Sequence, residues 1–525
     1  MLSRAIHTTS IPCHRLSDDF YTSGDGPKKV VGFLMNRCID RIASTRFSGR
    51  REGHALTRAG YLAVLLLTLL AVSCVTGTVS RQALRNDLGE VRIYLEPLPD
   101  EAGRIHLTLG DLAAVPLDGS RVPLILRVQD LKRAVTGKRQ SHLASGLLPP
   151  GFYQGISLTI QKASVQREDG EAALLIPRDP ILVERPFDVK SSKVISLFLS
   201  LDPAGLIIEG FRFSPFFSLA LPSQELTSLV GYLILPEEDR ITVFNRKTMR
   251  IVGDIATGRN PQRIIIDQNR GRAYVAVSDD DTVQVLDILR GNIRELIPLR
   301  TGDGPRDLAL TEDGRLLISA NYGSDTVSII DPIQGVETER IRVGQGPTSV
   351  IVNRNGTRAY VTSSLANTLS VIDLSTGILS AVLSMEGTTP LAAALDRDEE
   401  NLFIISGDSP NLTVLDPATL TTTDKIYIGA GAVSIAIDDN TGLVLVGKEH
   451  ISEISIVDPS VLMPIDTIRL KGAAGHMTID RQENALLVLV PGRKLLQKVD
   501  LVSKRVMAEM EMDAIPSEVA VVEDK

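Results

Sequence analysis

A short hydrophobic strand phrase ending in an acidic or amide residue returns seven times in the second half of this chain. It is seen at Asn245 in ITVFN, Asp287 in TVQVLD, Asp331 in TVSIID, Asp373 in TLSVID, Asp416 in LTVLD, Asp458 in ISIVD and Asp500 in LQKVD. Successive intervals are 42, 44, 42, 43, 42 and 42 residues. A period of that size, filled by short alternating strands rather than helices, is the signature of four-stranded sheets repeated around an axis.

Each repeat carries four strand phrases. An entry turn leads into an inner strand, as in NPQRIIID (Asn260 to Asp267), GPRDLALT (Gly304 to Thr311), GPTSVIVN (Gly346 to Asn353) and TPLAAALD (Thr389 to Asp396). GAVSIAID (Gly431 to Asp438), AGHMTID (Ala474 to Asp480) and IPSEVAVV (Ile515 to Val522) complete a set of seven. The second strand is typified by GRAYVAV (Gly271 to Val277), and the fourth by ERIRVG (Glu339 to Gly344). The first repeat has a second strand, VGYLILP, but only the polar LPSQELTS before it, whereas IPSEVAVV has nothing after it but EDK. The last strand is therefore expected to complete the first sheet and close a seven-bladed ring over residues 229–523, because closure removes exposed sheet edges.

The phrase NGTRAYVTSSLANTLSVID, with the Gly-x-x-Pro entries, resembles the YVTN-type β-propeller repeats of bacterial surface-layer and periplasmic proteins. That resemblance implies an all-β fold with a seven-bladed β-propeller. The recurring acid is read structurally: a strand-end Asp accepts hydrogen bonds from turn amides, and a residue present in every blade cannot mark one site.

Residues 89–222 lack this period but alternate in many short runs, including VRIYLEP, VPLILRV, KVISLFLSL and FSLALP, which predicts an antiparallel β-sandwich with room for one short helix near Val128 to Ala134. LLPPGFYQGISLTIQKASV followed by FRFSPFFSLAL resembles an uncharacterised family of bacterial surface domains with a carbohydrate-binding-like sandwich fold. Tyr153 and the Phe211 to Phe217 cluster are expected in the core rather than on a binding surface.

Upstream, YLAVLLLTLLAVS (61–73) follows Arg50, Arg51 and Arg58 and ends at Cys74, the layout of a secretory signal. Ala71-Val72-Ser73-Cys74 resembles a bacterial lipobox, which implies acylation of Cys74, a lipid anchor as the membrane partner, and residues 75–88 as a linker. Position 75 is Val rather than Asp, so resemblance to Gram-negative sorting implies an outer-membrane lipoprotein of the cell envelope. A plain membrane anchor and cleavage without lipid are the alternatives. Residues 1–60 precede the signal awkwardly, and translation starting near Met35 or at a later codon explains them.

Cys13, Cys38 and Cys74 form no CxxC, CxxCH or Cys/His cluster, so zinc, c-type haem and a disulfide framework have no support and no metal or cofactor is expected. With a net charge of -8 and scattered basic residues, no nucleic-acid partner is expected. Trp is absent, which removes the docking tryptophans of quinoprotein propellers.

Function is sought where the period breaks. Loops crowding one face around the channel carry the nonrepeating polar residues Arg259, Arg263, Asp303, Arg306, Asn321, Tyr322, Asp408, Glu449, His450 and His476. His450, Glu449 and His476 lack HxxxH or HxH spacing, so solvated loop histidines are the simpler reading and no catalytic residue is assigned. The expectation is a non-catalytic, lipid-anchored protein whose propeller face binds a protein or other macromolecule. A lactonase-like periplasmic hydrolase or lyase, and a surface-layer component, are the competing readings.

Overall fold

The computed structural model describes residues 87–522, apart from 98–103, 132–138, 169, 223–226 and 386. The signal segment, Cys74 and the residues before 87 lie outside that description. Among the described residues no helix is long and apolar enough to cross a membrane.

Seven four-stranded antiparallel sheets form a seven-bladed β-propeller, each sheet running from an inner strand through two middle strands to an outer strand. In blade 2 these are Pro261–Asp267, Arg272–Val277, Thr282–Asp287 and Asn292–Pro298. Middle strands are covered on both faces by neighbouring blades, so Ala485–Val490 is apolar and buried at every position. Outer strands meet solvent, and Ile378–Ser384 alternates exposed and half-buried residues. This gradient explains why the middle-strand phrases are the ones that repeat most visibly.

Blade 1 is assembled from both ends of the domain. Its inner strand, Glu518–Val521, pairs antiparallel with Val230–Leu235, in a register from Gly231 opposite Val521 to Ile234 opposite Glu518. Arg240–Asn245 and Arg250–Ala256 complete the sheet. The seam with blade 7 is tied by Arg246, whose Nη1 donates to Asp480 at 2.8 Å with both side chains buried.

The preceding domain is a β-sandwich. One sheet orders Phe216–Ala220, Val194–Asp202, Gly89–Leu95, Ser141–Leu148 and Ile125–Leu126; the other is built on the long strand Gly151–Arg167. The expected all-antiparallel pairing needs one correction: Gly89–Leu95 and Val194–Asp202 run parallel. These strands lie about a hundred residues apart in sequence, and parallel neighbours of that kind need a long crossover, here supplied by the whole second sheet. No helix forms at 128–131, and the rest of the segment proposed for one falls outside the described residues or is irregular. Tyr153 is buried, stacks on Phe187 with ring centroids 5.3 Å apart and donates its hydroxyl to the Pro149 carbonyl at 2.9 Å. Phe213 and Phe217 enter the core as expected, whereas Phe211 and Phe216 are exposed.

The two domains meet through a buried ionic cluster. On Gly89–Leu95, Val91, Ile93 and Leu95 face the sandwich core, which turns Arg92 and Tyr94 toward the propeller. Arg92 Nη1 lies 2.8 Å from Asp513, in the loop between blades 7 and 1, and its Nη2 lies 3.0 Å from Glu238. Arg240 Nη2 donates to Asp513 at 2.6 Å and its Nη1 pairs with Asp254, which also accepts from Tyr94 at 2.6 Å and Ser196 at 2.9 Å. His142 Nδ1 lies 2.8 Å from Asp513. Burial pushes the Asp513 carboxyl up, but Arg240, His142 and Arg92 outweigh it and hold it far below the usual carboxylate range.

Removing one partner of such a cluster leaves buried charge uncompensated, at a cost of about 3–5 kcal/mol. Asp513→Ala is therefore expected to lower the stability of the sandwich–propeller unit by that amount in urea unfolding. Because the folded carboxyl titrates below the unfolded one, its contribution is present above the unfolded value near pH 4 and shrinks as pH falls further. The deficit of the variant should narrow below pH 4, and a deficit that stays constant to pH 2 would contradict this.

Candidate functional site

The strand-end acid of the period is a turn cap. Asn245 accepts from the Lys247 and Thr248 amides, Asp331 from Ile333 and Gln334, Asp373 from Ser375 and Thr376, and Asp416 from Ala418 and Thr419. Asp287, Asp458 and Asp500 accept from Arg290, Ser460 and Ser503. A second acidic series escaped the sequence reading. Asp239, Asp281 and Asp325 adopt left-handed φ between the second and third strands and accept amides from the next entry loop, at Asn260, at Gly302 and Gly304, and at Gly346. The D-T or N-T step before the third strand, at 281–282, 325–326 and 367–368, was the available signal.

The inner strands present one position in register at the channel wall. Arg263 stands opposite Ala276, Asp307 opposite Ala320, Ser349 opposite Thr362, Ala392 opposite Ile405, Ser434 opposite Gly447 and Glu518 opposite Ile234. His476 fills the same place in blade 7, where its carbonyl accepts from the Leu489 amide at 3.0 Å. Four consecutive blades, 7, 1, 2 and 3, therefore contribute His476, Glu518, Arg263 and Asp307. The remaining three offer only Ser, Ala and Ser.

Arg263 joins this quartet. Its Nη1 is 2.9 Å from Glu518 Oε1 and 3.1 Å from His476 Nε2, and its Nε is 3.0 Å from Asp307 in a charge contact without hydrogen-bond alignment. The acceptors also bind backbone of the next blade. Glu518 Oε2 takes the Ile264 amide at 2.9 Å, Asp307 Oδ2 the Val350 amide at 2.8 Å and His476 Nδ1 the Val519 amide at 3.3 Å. Both ring nitrogens of His476 thus face donors. Burial, reinforced by Arg263, pushes its pKa down to about 3. Burial pushes the Glu518 carboxyl up to about 8 against the pull of Arg263 and the Ile264 amide, with Asp307 adding to the rise.

The other candidates separate into fixed and free groups. Asp303 is buried and held by Arg340, whose Nη1 and Nη2 each donate at 2.7 Å; burial raises its carboxyl, but the Arg340 hydrogen bonds prevail and hold it low. Asn321 is buried among Ser319, Thr326 and Ser328. Asp408 accepts from the Thr389 amide at 2.7 Å and hydroxyl at 2.8 Å, which fixes an entry loop. Arg259 is exposed and pairs with Asp280 at 2.7 Å. The exposed Arg306 lies over the Tyr322 ring, 4.9 Å from its centroid. Glu449 and His450 form a 3.8 Å pair with side chains 64% and 78% accessible. His450 and His476, considered together from the sequence, have entirely different surroundings.

Among the described residues no group of three or more His, Cys, Asp or Glu is placed to hold a metal ion. Every side-chain contact within the quartet runs through Arg263, its one permanent cation, which is already shared by two carboxyl groups.

A model of the YNCE-like β-propeller family matches residues 237–439. Protein NirF of Stutzerimonas stutzeri is 33% identical over 121 residues, covering 21% of this chain and 30% of that protein. The seven-bladed β-propeller protein Rv1057 of Mycobacterium tuberculosis is 30% identical over 165 residues, covering 28% of this chain and 39% of that protein. The chain thus spans well under half the length of either curated relative. A functionally unknown protein from Desulfotomaculum acetoxidans superposes with a TM-score of 0.51 at 14% identity, over 57% of this chain and all of that one. What these proteins share with the chain is the propeller.

The quartet has a measurable signature. A carboxyl whose folded pKa is raised keeps its proton longer when folded, so Glu518 makes stability fall as pH rises from about 4.3 to about 8. His476, with its folded pKa lowered, makes stability rise between about 3 and about 6.5. The two oppose each other below pH 6.5 and only Glu518 acts above it. Stability should fall by roughly 2 kcal/mol between pH 6.5 and 8, and Glu518→Gln should flatten that segment in urea titrations at the two pH values.

Proposed function

We propose that the chain is a non-catalytic cell-envelope protein, tethered by a lipid on Cys74, whose propeller presents its loop face to a protein or other macromolecular partner. The observation that carries this reading is the spread of the surface polar groups. Arg259 and the half-buried Tyr322, with Arg306 stacked on it, line one shallow open cleft between blades 2 and 3, whereas the Glu449–His450 pair lies apart on blade 6. The groups that do converge, at Arg263, are committed to each other and to backbone amides. Arg259, Arg306 and Tyr322 suit a macromolecular surface, where Arg and Tyr commonly act as anchors.

The tether and the face are tested separately. Cys74→Ser should move the protein from the membrane to the soluble envelope fraction and remove acyl mass from the amino-terminal peptide. Arg306→Ala combined with Tyr322→Ala should leave the urea midpoint unchanged and reduce crosslinked partner by about tenfold or more, the loss expected of an anchor worth about 1.4 kcal/mol or more. Saturable turnover of a lactone or glycan panel that disappears in His476→Ala would replace this reading with the hydrolase alternative.

A further inference from the structure

The face of blade 1 that packs toward blade 2 departs from the repeat at two places. Tyr232, Val243 and Gly253 stand opposite one another across its second, third and fourth strands. The fourth-strand place in that row holds Glu295, Glu339, Ala381, Asp424, Asp466 and Ala508 in blades 2 to 7, so blade 1 alone has no side chain there. A Cβ built on Gly253 meets no atom within 4 Å. Two residues before Tyr232, Val230 stands where blades 2 and 4 carry Arg272 and Arg358.

In blade 4 the arginine and the tyrosine of the row, Arg358 and Tyr360, both donate to the Pro417 carbonyl of the next blade, at 3.1 and 3.4 Å. The matching carbonyl beside blade 1 belongs to Ile288, and Tyr232 donates neither to it nor to any other described group. Tyr232 is only 1% exposed, and it lines a cleft of about 370 Å³ onto which its hydroxyl opens. Val230, Val243, Ile255 and Ile288 form the propeller side of this cleft, and Val194 and Ile195 of the sandwich form the other. The nearby carboxylates are already taken, Asp254 by Arg240, Thr242, Tyr94 and Ser196, and Asp287 by Arg290 and Arg294. Burial, reinforced by Asp287, raises the Tyr232 pKa, so its hydroxyl stays protonated and acts as a donor. The cleft takes in the turn between the third and fourth strands of blade 2, at the strand ends opposite the loop face.

We propose that this cleft between the sandwich and blades 1 and 2 binds a small, uncharged, largely apolar molecule whose carbonyl oxygen accepts from the Tyr232 hydroxyl. Its volume falls in the lower part of the range of about 300–1,000 Å³ typical of small-molecule sites, and apolar walls around one placed polar group are the usual composition of such sites. The aliphatic walls reward burial of a hydrocarbon body. A hydroxyl with no protein acceptor rewards an acceptor on the ligand. Asp254 and Asp287 oppose a negative charge there, and the one cation in the lining, Arg290, is paired with Asp287. The site is independent of the macromolecular reading, because it lies at the other ends of the strands.

Ligand-observed NMR titrations of the full chain with acetophenone, with isopropenylbenzene as its hydrocarbon isostere and with benzoate as its anionic counterpart test the site. Acetophenone is expected to saturate one site, with benzoate weaker by about tenfold or more. Gly253→Leu fills the empty place in the row and should weaken acetophenone by about tenfold or more, at an unchanged urea midpoint. Tyr232→Phe removes only the hydroxyl, and should weaken acetophenone by about fivefold while leaving isopropenylbenzene within about threefold. Absence of saturable acetophenone binding, tighter binding of benzoate, or an acetophenone affinity that Tyr232→Phe leaves unchanged overturns the proposal. If Gly253→Leu lowers the urea midpoint, the Tyr232→Phe comparison of the two isosteres decides alone, since it neither fills nor enlarges the cleft.

Discussion

Two carboxylates, the buried Asp254 and the partly buried Asp513, hold the described part of this molecule together. They receive Arg92 from the sandwich and Arg240 from the propeller, and Glu90 and Glu238 add their carboxylates to Arg92 at 2.7 and 3.0 Å toward the edge of the cluster. Burying ions is expensive, and a cluster of this kind specifies an arrangement more than it adds stability. Asp513 has a further consequence because it lies just before the closing strand Glu518–Val521. The contact that fixes the sandwich therefore also fixes the loop that delivers the last strand to blade 1. Arg139 adds rim pairs to Glu509 and Glu511 on the outer strand of blade 7, so the sandwich grips both sides of the seam.

The ring and its closure were legible because they depend on local phrases repeated at fixed distance. VGYLILP has no inner-strand phrase before it and IPSEVAVV is an inner-strand phrase left over, and their antiparallel register is the pairing that this mismatch demands. The domain contact was not legible. In VRIYLEP, Arg92 reads as the solvent-facing member of an alternating strand, and only a third layer against that sheet makes it one of the most buried side chains. Alternation identifies two faces but not what covers the second. The parallel partner of the same strand was hidden for a related reason, since pairing across a long crossover leaves no trace in local pattern.

Departures from the repeat proved to be of three kinds. Asp303, Asn321 and Asp408 are nonrepeating yet structural, each held by neighbours within a single blade or its entry loop. Arg259, Arg306, Tyr322, Glu449 and His450 remain at the surface, as loop polarity suggests. Arg263 and His476 were counted among surface loops but stand at the channel wall, because a bulge just after the entry residue aligns the inner strands by register rather than by loop length.

The channel position also explains why the ring is not symmetric. An inner strand is an edge strand, so alternate amides point away from its single partner toward the axis. In three blades that amide is taken by a side chain of the preceding blade: Val519 by His476, Ile264 by Glu518 and Val350 by Asp307. Arg263 cannot accept, and the Leu308 amide that it would have capped turns to the adjacent carboxyl of Asp307 at 2.9 Å. The cation is thereby released to link Glu518, His476 and Asp307, joining four blades beside the closure seam. On the far side Ser349, Ala392 and Ser434 supply no charge. Charged side chains at this channel-wall position thus cluster where the ring is closed by strands from opposite ends of the domain, whereas consecutive blades on the far side are joined by hydroxyl and carbonyl contacts such as Thr348 to the Leu391 carbonyl.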